Sequence, residues 1–249
     1  VFNEFLSGGA AMDVHALRTN LQHNLPCLLA LCDYINLQNG VNSLMLSPYD
    51  SRLGLLVPYL QQLWMESLGK GVTNEGERLQ HSPCPVLWGD VGTNGQHAFF
   101  QMLHQSPIPC GVELLAVKQP NHDKDSTHQV LMSHFLAQAE GFAKGKLNSS
   151  AEIDNPALNH KTCPGNRPVT SLIMKELSPA MLGSLLALWE HRTAALAALN
   201  HINPFDQWGV ELGKVIAQEL ETPLSAPQGQ AKDPVTNSLL QALKTKASL

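Results

Sequence analysis

The chain has 249 residues, of which 43% are apolar, and a formal net charge of -5 at pH 7. This composition supports a folded core and excludes a largely disordered chain. The modest negative charge favours neither a nucleic acid nor an anionic membrane as a partner, and no run of about 18 apolar residues predicts a membrane span. Five cysteines without a CxxC pair indicate reduced, mostly buried thiols in a cytoplasmic protein. The histidines lack zinc-ligand spacing, so we expect no metal.

Short apolar runs alternate with longer amphipathic stretches along the chain. Five short runs bounded by Pro, Gly or Asn are predicted to be strands: 41–47, 85–89, 111–117, 169–177 and 199–202. Longer stretches are predicted to be helices: 26–37, 52–68, 95–105, 126–146, 179–198, 207–221 and 234–246. Residues 147–164 are predicted to be a polar loop or a short helical excursion.

This alternation predicts an α/β fold, doubly wound, with a mainly parallel five-stranded sheet flanked by helices and a C-terminal helical extension. In such folds the ligand binds beyond the carboxyl ends of the strands. We therefore expect the site residues just after strands, in loops and in first helical turns.

A helical segment with sequence YLQQLWMES spans residues 59–67. Gln62 and Glu66 are four residues apart, which places them on one helix face. The apolar neighbours would partly desolvate Glu66, and a desolvated carboxylate is suited to general base catalysis. The same pattern also fits an ordinary surface glutamate on an amphipathic helix.

The glycine-rich segment WGDVGTNGQH, residues 88–97, follows a predicted strand and leads into a helix. Its glycines permit a tight turn, and a helix N-terminus offers free N–H groups to anions. His97 would lie in the first turn, where an imidazole can accept or donate a proton. The alternative is a histidine that only caps the helix or makes a local hydrogen bond.

The segment FDQWGVELGK, residues 205–214, opens a predicted helix. Gln207, Glu211 and Lys214 share one face of that helix. Each of its two glycines lowers helix stability by about 1 kcal/mol relative to alanine. Glycines at this cost indicate that another group approaches the helix backbone closely. The alternative for Lys214 is a solvated lysine that pairs with Glu211.

These three segments, in this order, closely resemble the motifs of the glucose-6-phosphate isomerase family. The corresponding stretches are 61–70, 88–97 and 205–214. Shorter similarities are Ser7-Gly8, Met12-Asp13, His15, Pro48-Tyr49-Asp50, Gly165-Asn166-Arg167-Pro168 and Glu190-His191. The resemblance covers essentially the whole chain and corresponds to the C-terminal part of the family.

The resemblance implies a role for each candidate residue. Glu66 corresponds to the base that moves a proton between C2 and C1 through a cis-enediol. His97 and Lys214 correspond to the groups that open the sugar ring. Gln62 and Gln207 correspond to substrate contacts, with Gln207 near the phosphate.

The resemblance also implies a domain organisation. Residues 1–222 would form a C-terminal sugar isomerase (SIS) domain, and 223–249 a linker and helical tail. The N-terminal SIS domain, with its Ser/Thr-rich phosphate loop and an arginine that stabilises the enediolate, would be absent. Because the chain begins at Val1, we expect either a processed chain or a fragment. In the family the site lies at a homodimer interface, and the residue corresponding to His97 reaches across from the neighbouring subunit.

The implied activity is interconversion of glucose 6-phosphate and fructose 6-phosphate in glycolysis and gluconeogenesis, in the cytoplasm and without a cofactor. We expect the chain alone to have little or no activity. The alternative is a non-catalytic SIS-like module that binds a sugar phosphate or a protein.

Several residues depart from the family pattern. Leu68 stands where the family usually has Asn, and Trp64 is an unusual neighbour of the base. Asp90 and Val91 replace a commoner Glu-Pro pair. These changes indicate a divergent member or some relaxation of constraint. For Arg167 a structural or interface role is favoured over substrate binding.

Overall fold

A computed structural model of the chain describes residues 1–146 and 159–245. Contacts divide the chain into two compact units, Val1–Pro204 and Phe205–Leu249. The predicted domain boundary at residue 222 stays a prediction. In the described part of the chain, no helix is both long and apolar enough to cross a bilayer.

The first unit contains a parallel sheet, as the alternation of apolar runs predicts. Its strands are β1 (Ser43–Pro48), β2 (Val86–Gly89), β3 (Gly111–Val117) and β4 (Val169–Met174). They lie in the order β2-β1-β3-β4, and every neighbouring pair is parallel. The helices are α1 (Phe2–Arg18), α2 (Leu25–Gln38), α3 (Leu56–Gln61), α4 (Gly92–Ala98), α5 (Phe100–Gln105), α6 (Asp125–Lys144) and α7 (Pro179–Leu199). Shorter helical turns are Leu21–His23, Ser51–Leu53 and a π turn at Gln62–Glu66.

Two hydrophobic cores cover the two faces of this sheet. The first core joins Leu44 and Leu46 of β1 to side chains from α2, α3 and α7. The second core joins Met45 of β1 to side chains from α5 and α6. Successive side chains of a strand point to opposite faces, so the two cores lie on opposite sides of the sheet. Every residue of β3 is buried because helices cover both faces.

The fifth predicted strand, residues 199–202, is wrong. Helix α7 continues to Leu199, and Asn200 then ends it by donating a side-chain hydrogen bond to the Leu196 carbonyl at 2.9 Å. His201 adopts a positive φ of 53°, so the chain leaves the helical direction at this residue. A short apolar run cannot by itself be told from the end of a buried helix. The described part of the chain therefore contains four strands.

Other predicted elements differ in their boundaries. Helix α1 was missed, and the predicted helix 52–68 is divided into a 3-10 turn, α3 and the π turn. The predicted helix 95–105 begins earlier, at Gly92, and is interrupted at Phe99, so that α4 and α5 are separate helices. Most of the predicted polar loop, residues 147–158, lies outside the described residues.

Helix α1 packs tightly on α7 through Gly8. A Cβ atom added to Gly8 would lie 1.8 Å from the Ala180 carbonyl oxygen, and Ser184 Oγ donates to the Gly8 carbonyl at 2.7 Å. Further along, His191 Nε2 and Asp13 Oδ1 are 2.8 Å apart. Several of the shorter family motifs therefore form the contact between these two helices.

The second unit contains α8 (Trp208–Ser225) and α9 (Pro234–Lys244). Helix α8 has Gln207 at its N-cap position and contains no buried residue. The Asp233 side chain caps α9 by accepting from Thr236 N at 2.7 Å. An ion pair of 3.1 Å joins Lys232 to Glu219 of α8.

Candidate functional site

Gln62 and Glu66 are the first and last residues of the π turn that follows α3. Gln62 is exposed and Glu66 is half-buried, whereas Trp64 between them is completely buried in the first core. Gln61 fixes the start of the turn by donating from Nε2 to the Leu87 carbonyl of β2 at 3.2 Å. Single π turns are rare and are often found at functional sites. Glu66 thus lies in a helical segment, as its predicted helix 52–68 indicated, although site residues in general were expected just after strands.

The residues that follow Glu66 connect the turn to the protein interior. Lys70 Nζ donates to the Glu66 backbone carbonyl at 2.9 Å. Leu68 is fully buried and belongs to the first core. The apolar residue at this position therefore contributes to packing beneath the turn.

A buried charge network lies beside the π turn. Arg192 of α7 donates from Nε and Nη2 to the two carboxylate oxygens of Asp33 on α2, at 2.6 and 2.8 Å. Its Nη1 donates to Glu113 of β3 at 2.8 Å. The guanidinium carbon lies 4.3 Å from the ring centroid of Trp189 and 5.3 Å from that of Trp64. One cation therefore contacts side chains from α2, β3, α7 and the π turn.

Burial controls the protonation of this network. Burial raises the pKa of the Glu113 carboxyl above its ordinary value, although Arg192 opposes the change. Burial alone would lower the pKa of Arg192, but the carboxylates of Asp33 and Glu113 raise it above its usual range. None of these three charged residues was predicted from the sequence to have a role. The available signal was that Asp33 and Glu113 are each a single charge within an apolar stretch, where a charge is retained only if it is paired.

His97 lies on α4, which begins directly after β2. Gly89 has a φ of +146°, and a Cβ atom there would lie 1.9 Å from the Leu46 carbonyl oxygen, so this turn requires glycine. Gly92 lies against the ring of Tyr49, and Gln96 donates to the Tyr49 hydroxyl at 3.0 Å. These contacts fix α4 on the face of the second core, with His97 exposed.

Glu66 and His97 lie on elements that pack into different cores of this unit. The π turn packs into the first core, whereas α4 lies on the side of the second core. Gln62 and Glu66 are brought together, since both belong to the same turn.

Gln207 and Lys214 belong to the second unit. Lys214 is 64% exposed, and its Nζ lies 2.7 Å from Glu211 Oε1. The ion pair considered as the alternative for Lys214 is therefore present in the structure. Cβ atoms added to Gly209 and Gly213 would meet no atom within 4 Å. The close approach expected for this helix backbone is absent from the described residues.

Arg167 has a structural role. Its Nε donates to the Leu103 carbonyl at 3.0 Å, and its two other nitrogens donate to the carbonyls of Ser106 and Ile108. The Leu103 carbonyl is in the last turn of α5, where carbonyls lack intrahelical partners, and the other two carbonyls belong to the loop after it.

A small cavity of about 230 Å³ lies beyond the carboxyl ends of β3 and β4, where ligands of doubly wound folds are expected. Arg52, Gln119, Asn121, Glu176 and Ser178 are among its lining residues, and none of the five predicted site residues lines it. Asp50 binds Arg52 through both carboxylate oxygens, at 2.9 and 2.6 Å. Glu176 also lines the cavity, so carboxylates balance the charge of Arg52 there. Among residues 1–146 and 159–245, no cluster of three His, Cys, Asp or Glu side chains has metal-binding geometry.

Comparison with known proteins identifies the family. A family model described as phosphoglucose isomerase matches residues 1–240. Similar relatives are the glucose-6-phosphate isomerases of Polaromonas naphthalenivorans, 45% identical over 98% of this chain and 45% of that protein, and of Leptothrix cholodnii, 42% identical over 98% and 49%. The crystal structure of a glucose-6-phosphate isomerase from Chlamydia trachomatis superposes with a TM-score of 0.82 at 36% identity, covering 96% of this chain and 45% of that one.

The chain spans about half the length of the curated relatives that it matches. The match nevertheless extends over nearly all of the present sequence and agrees with the parallel α/β architecture. The chain therefore belongs to the phosphoglucose isomerase family.

Proposed function

We propose that this chain is part of an enzyme that interconverts glucose 6-phosphate and fructose 6-phosphate, in the cytoplasm and without a cofactor. Glu66 removes the proton from C2 of the open-chain aldose and returns it to C1 through a cis-enediol. His97 and Lys214 transfer the protons that open the ring. Gln62 and Gln207 orient hydroxyl or phosphate oxygens through neutral amides, which leave the charges of the acid–base groups undisturbed.

The observation that carries this proposal is the π turn. The turn begins at Gln62 and ends at Glu66, and both residues correspond to family residues that act on or contact the substrate. A base that removes a proton from carbon must be held close to that carbon in a water-poor site. Residue Glu66 is half-buried and lies two residues from the buried ring of Trp64, which suits this requirement.

The positions of Glu66 and His97 support a homodimeric site in the complete enzyme. Their elements pack on opposite faces of one sheet. A two-fold dimer fits this arrangement, because His97 of one subunit can complete the site that contains Glu66 of the other. The phosphate loop expected for the family has no counterpart in the sequence, and we expect little activity from the chain alone.

The test of the base is Glu66→Gln in a completed enzyme. The chain is joined to the part of the Polaromonas naphthalenivorans isomerase that it does not match, and activity is measured in a coupled assay. Glu66→Gln keeps the size of the side chain but removes the base, so turnover is expected to fall by several orders of magnitude while substrate still binds. Glu75→Gln, an exposed glutamate in a nearby loop, is the control. Turnover close to wild type in Glu66→Gln would refute the assignment.

The shared site is tested by mixing inactive subunits. Glu66→Gln and His97→Asn chains are co-expressed in the completed form, each carrying a different affinity tag. Random pairing makes half of the dimers mixed, and each mixed dimer has one intact site, so about a quarter of the wild-type activity is expected to return. If both residues serve the same subunit, every site is defective and the mixture stays inactive.

The ring-opening role of Lys214 is tested with Lys214→Ala. The variant should slow turnover of the closed-ring sugar more than that of an open-chain analogue, because only the ring requires a proton donor. Glu211→Gln removes the ion pair but keeps the lysine, and serves as the matched control. Equal losses on both substrates would exclude the ring-opening role.

A further inference from the structure

We propose that Arg192 is a positioning residue for Glu66: its guanidinium, which lies over the ring of Trp64, holds the π turn in the form that presents Gln62 and Glu66 to the substrate. This inference rests on the proposed function, in which Glu66 is the base. Arg192 does not contact substrate in this scheme and acts only through Trp64.

Trp64 connects Arg192 to the turn. It is the central residue of the turn and is completely buried. Its indole ring contacts Trp189 edge to face, with centroids 5.4 Å apart, and the Arg192 cation lies 5.3 Å from it. The indole N–H of Trp64 has no hydrogen-bond partner among the described residues. The ring is therefore held by aromatic and cation–π contacts instead of a hydrogen bond.

Arg192 is itself fixed by three hydrogen bonds that come from two other elements. Asp33 binds it through both carboxylate oxygens from α2, and Glu113 binds it from the centre of the sheet. In the register of β1 and β3, Glu113 is opposite Leu46, so this anchor lies in the middle of the sheet. A planar guanidinium can bind two carboxylates and stack on rings at the same time, which an ammonium group cannot do.

The consequence for Glu66 follows from the geometry of the turn. A π turn is a local departure from the α-helical pattern, and specific packing must hold it in place. If Trp64 loses its cation, the turn can relax toward α-helical pairing, which changes the direction of Glu66 relative to Gln62. An error of about 1 Å in the position of a catalytic group can cost up to about 100-fold in rate.

The kinetic test uses Arg192→Lys and Trp64→Phe in the completed enzyme described above. We expect kcat to fall roughly tenfold in each variant while KM stays within about twofold, because orientation of the base is lost and substrate contacts are kept. Since both side chains act through one contact, the double variant should lose little more than the larger single loss. Phe142→Leu, a substitution of a fully buried ring in the second core, is the control for a general loss of stability. Wild-type kcat in both Arg192→Lys and Trp64→Phe would overturn the proposal.

A second measurement on the 249-residue chain separates this inference from the proposed function. Hydrogen exchange of the backbone amides of residues 65–69 is compared in wild type, Arg192→Lys, Trp64→Phe and Phe142→Leu. We expect faster exchange in the first two variants and no local change in the control. An inactive completed wild type would refute the proposed function, yet faster local exchange would still support the anchoring of the turn by Arg192. Unchanged exchange in both variants would overturn the anchoring itself.

Discussion

The buried network around Arg192 predicts that its two carboxylates contribute very differently to stability. One guanidinium faces two carboxylates, and Asp33 makes two of the three hydrogen bonds. In Asp33→Asn, an amide NH2 group replaces one acceptor and faces a donor, while Arg192 stays buried. Removing one partner of a buried ion pair costs about 3–5 kcal/mol, which corresponds to a fall of roughly 10 °C in Tm for a unit of this size.

Glu113→Gln should cost less than about 1 kcal/mol, because the amide oxygen can still accept from Arg192 and Asp33 still balances the cation. One oxygen of Glu113, Oε1, already lacks a partner within the described residues, so the substitution breaks no further hydrogen bond. The two variants are nearly isosteric with wild type and therefore form a matched pair.

The pH dependence of this difference has a definite sign. Burial raises the pKa of Glu113 above its ordinary value of 4.5, so the folded protein holds this proton more tightly than the unfolded chain. The stability of wild type relative to Glu113→Gln is therefore greatest below pH 4.5 and falls as the pH rises through the raised pKa.

Urea unfolding, followed by far-UV circular dichroism at several pH values between 4 and 8, measures these differences as changes in the free energy of unfolding. Equal losses in Asp33→Asn and Glu113→Gln would refute the bidentate geometry as the main source of stability. A rise in the relative stability of wild type with increasing pH would refute the raised pKa.

Three further predictions concern single side chains. Gly8→Ala should destabilise the protein by more than about 2 kcal/mol in urea unfolding, because its Cβ would lie 1.8 Å from the Ala180 carbonyl oxygen; a loss below about 0.5 kcal/mol would contradict this packing. Gly209→Ala should instead increase the helicity of α8 and stabilise the chain by up to about 1 kcal/mol, since its Cβ meets open space; destabilisation would reveal a contact that the structure lacks. In a thiol titration at pH 8 the exposed Cys32 should react first and Cys84 far more slowly, because burial raises the pKa of Cys84 to about 11 and only about 0.1% of it is thiolate. Faster reaction at Cys84 would contradict its burial.

The π turn shows where sequence periodicity stops being informative. A helix over residues 52–68 was predicted, and its apolar residues do enter the first core. The wider turn at Gln62–Glu66 depends on Trp64 packing against Trp189 and Arg192, more than 120 positions later in the chain. Local propensity carries no information about such a contact, so neither the turn nor its anchor was predicted.

The strands were predicted more reliably than the helix ends. Continuous apolar runs such as residues 111–117 indicated strands buried on both faces, and β3 has the same bounds. Helix α1 was missed because its two adjacent glycines weaken the local helical signal. Gly8 fits there because α7 approaches it closely, and that contact joins residues from opposite ends of the first unit.

The sequence by itself determined the α/β class, the parallel sheet and the family, because apolar periodicity and short motifs are local properties of the chain. It also identified Gln62, Glu66, His97, Gln207 and Lys214 as the candidate residues. Only the tertiary structure decided that Glu66 ends a π turn, that His97 lies on the opposite face of the sheet, and that Arg192, Asp33 and Glu113 form a buried network. The physical reason is that a buried charge is tolerated only with partners, and those partners meet only when distant segments pack together.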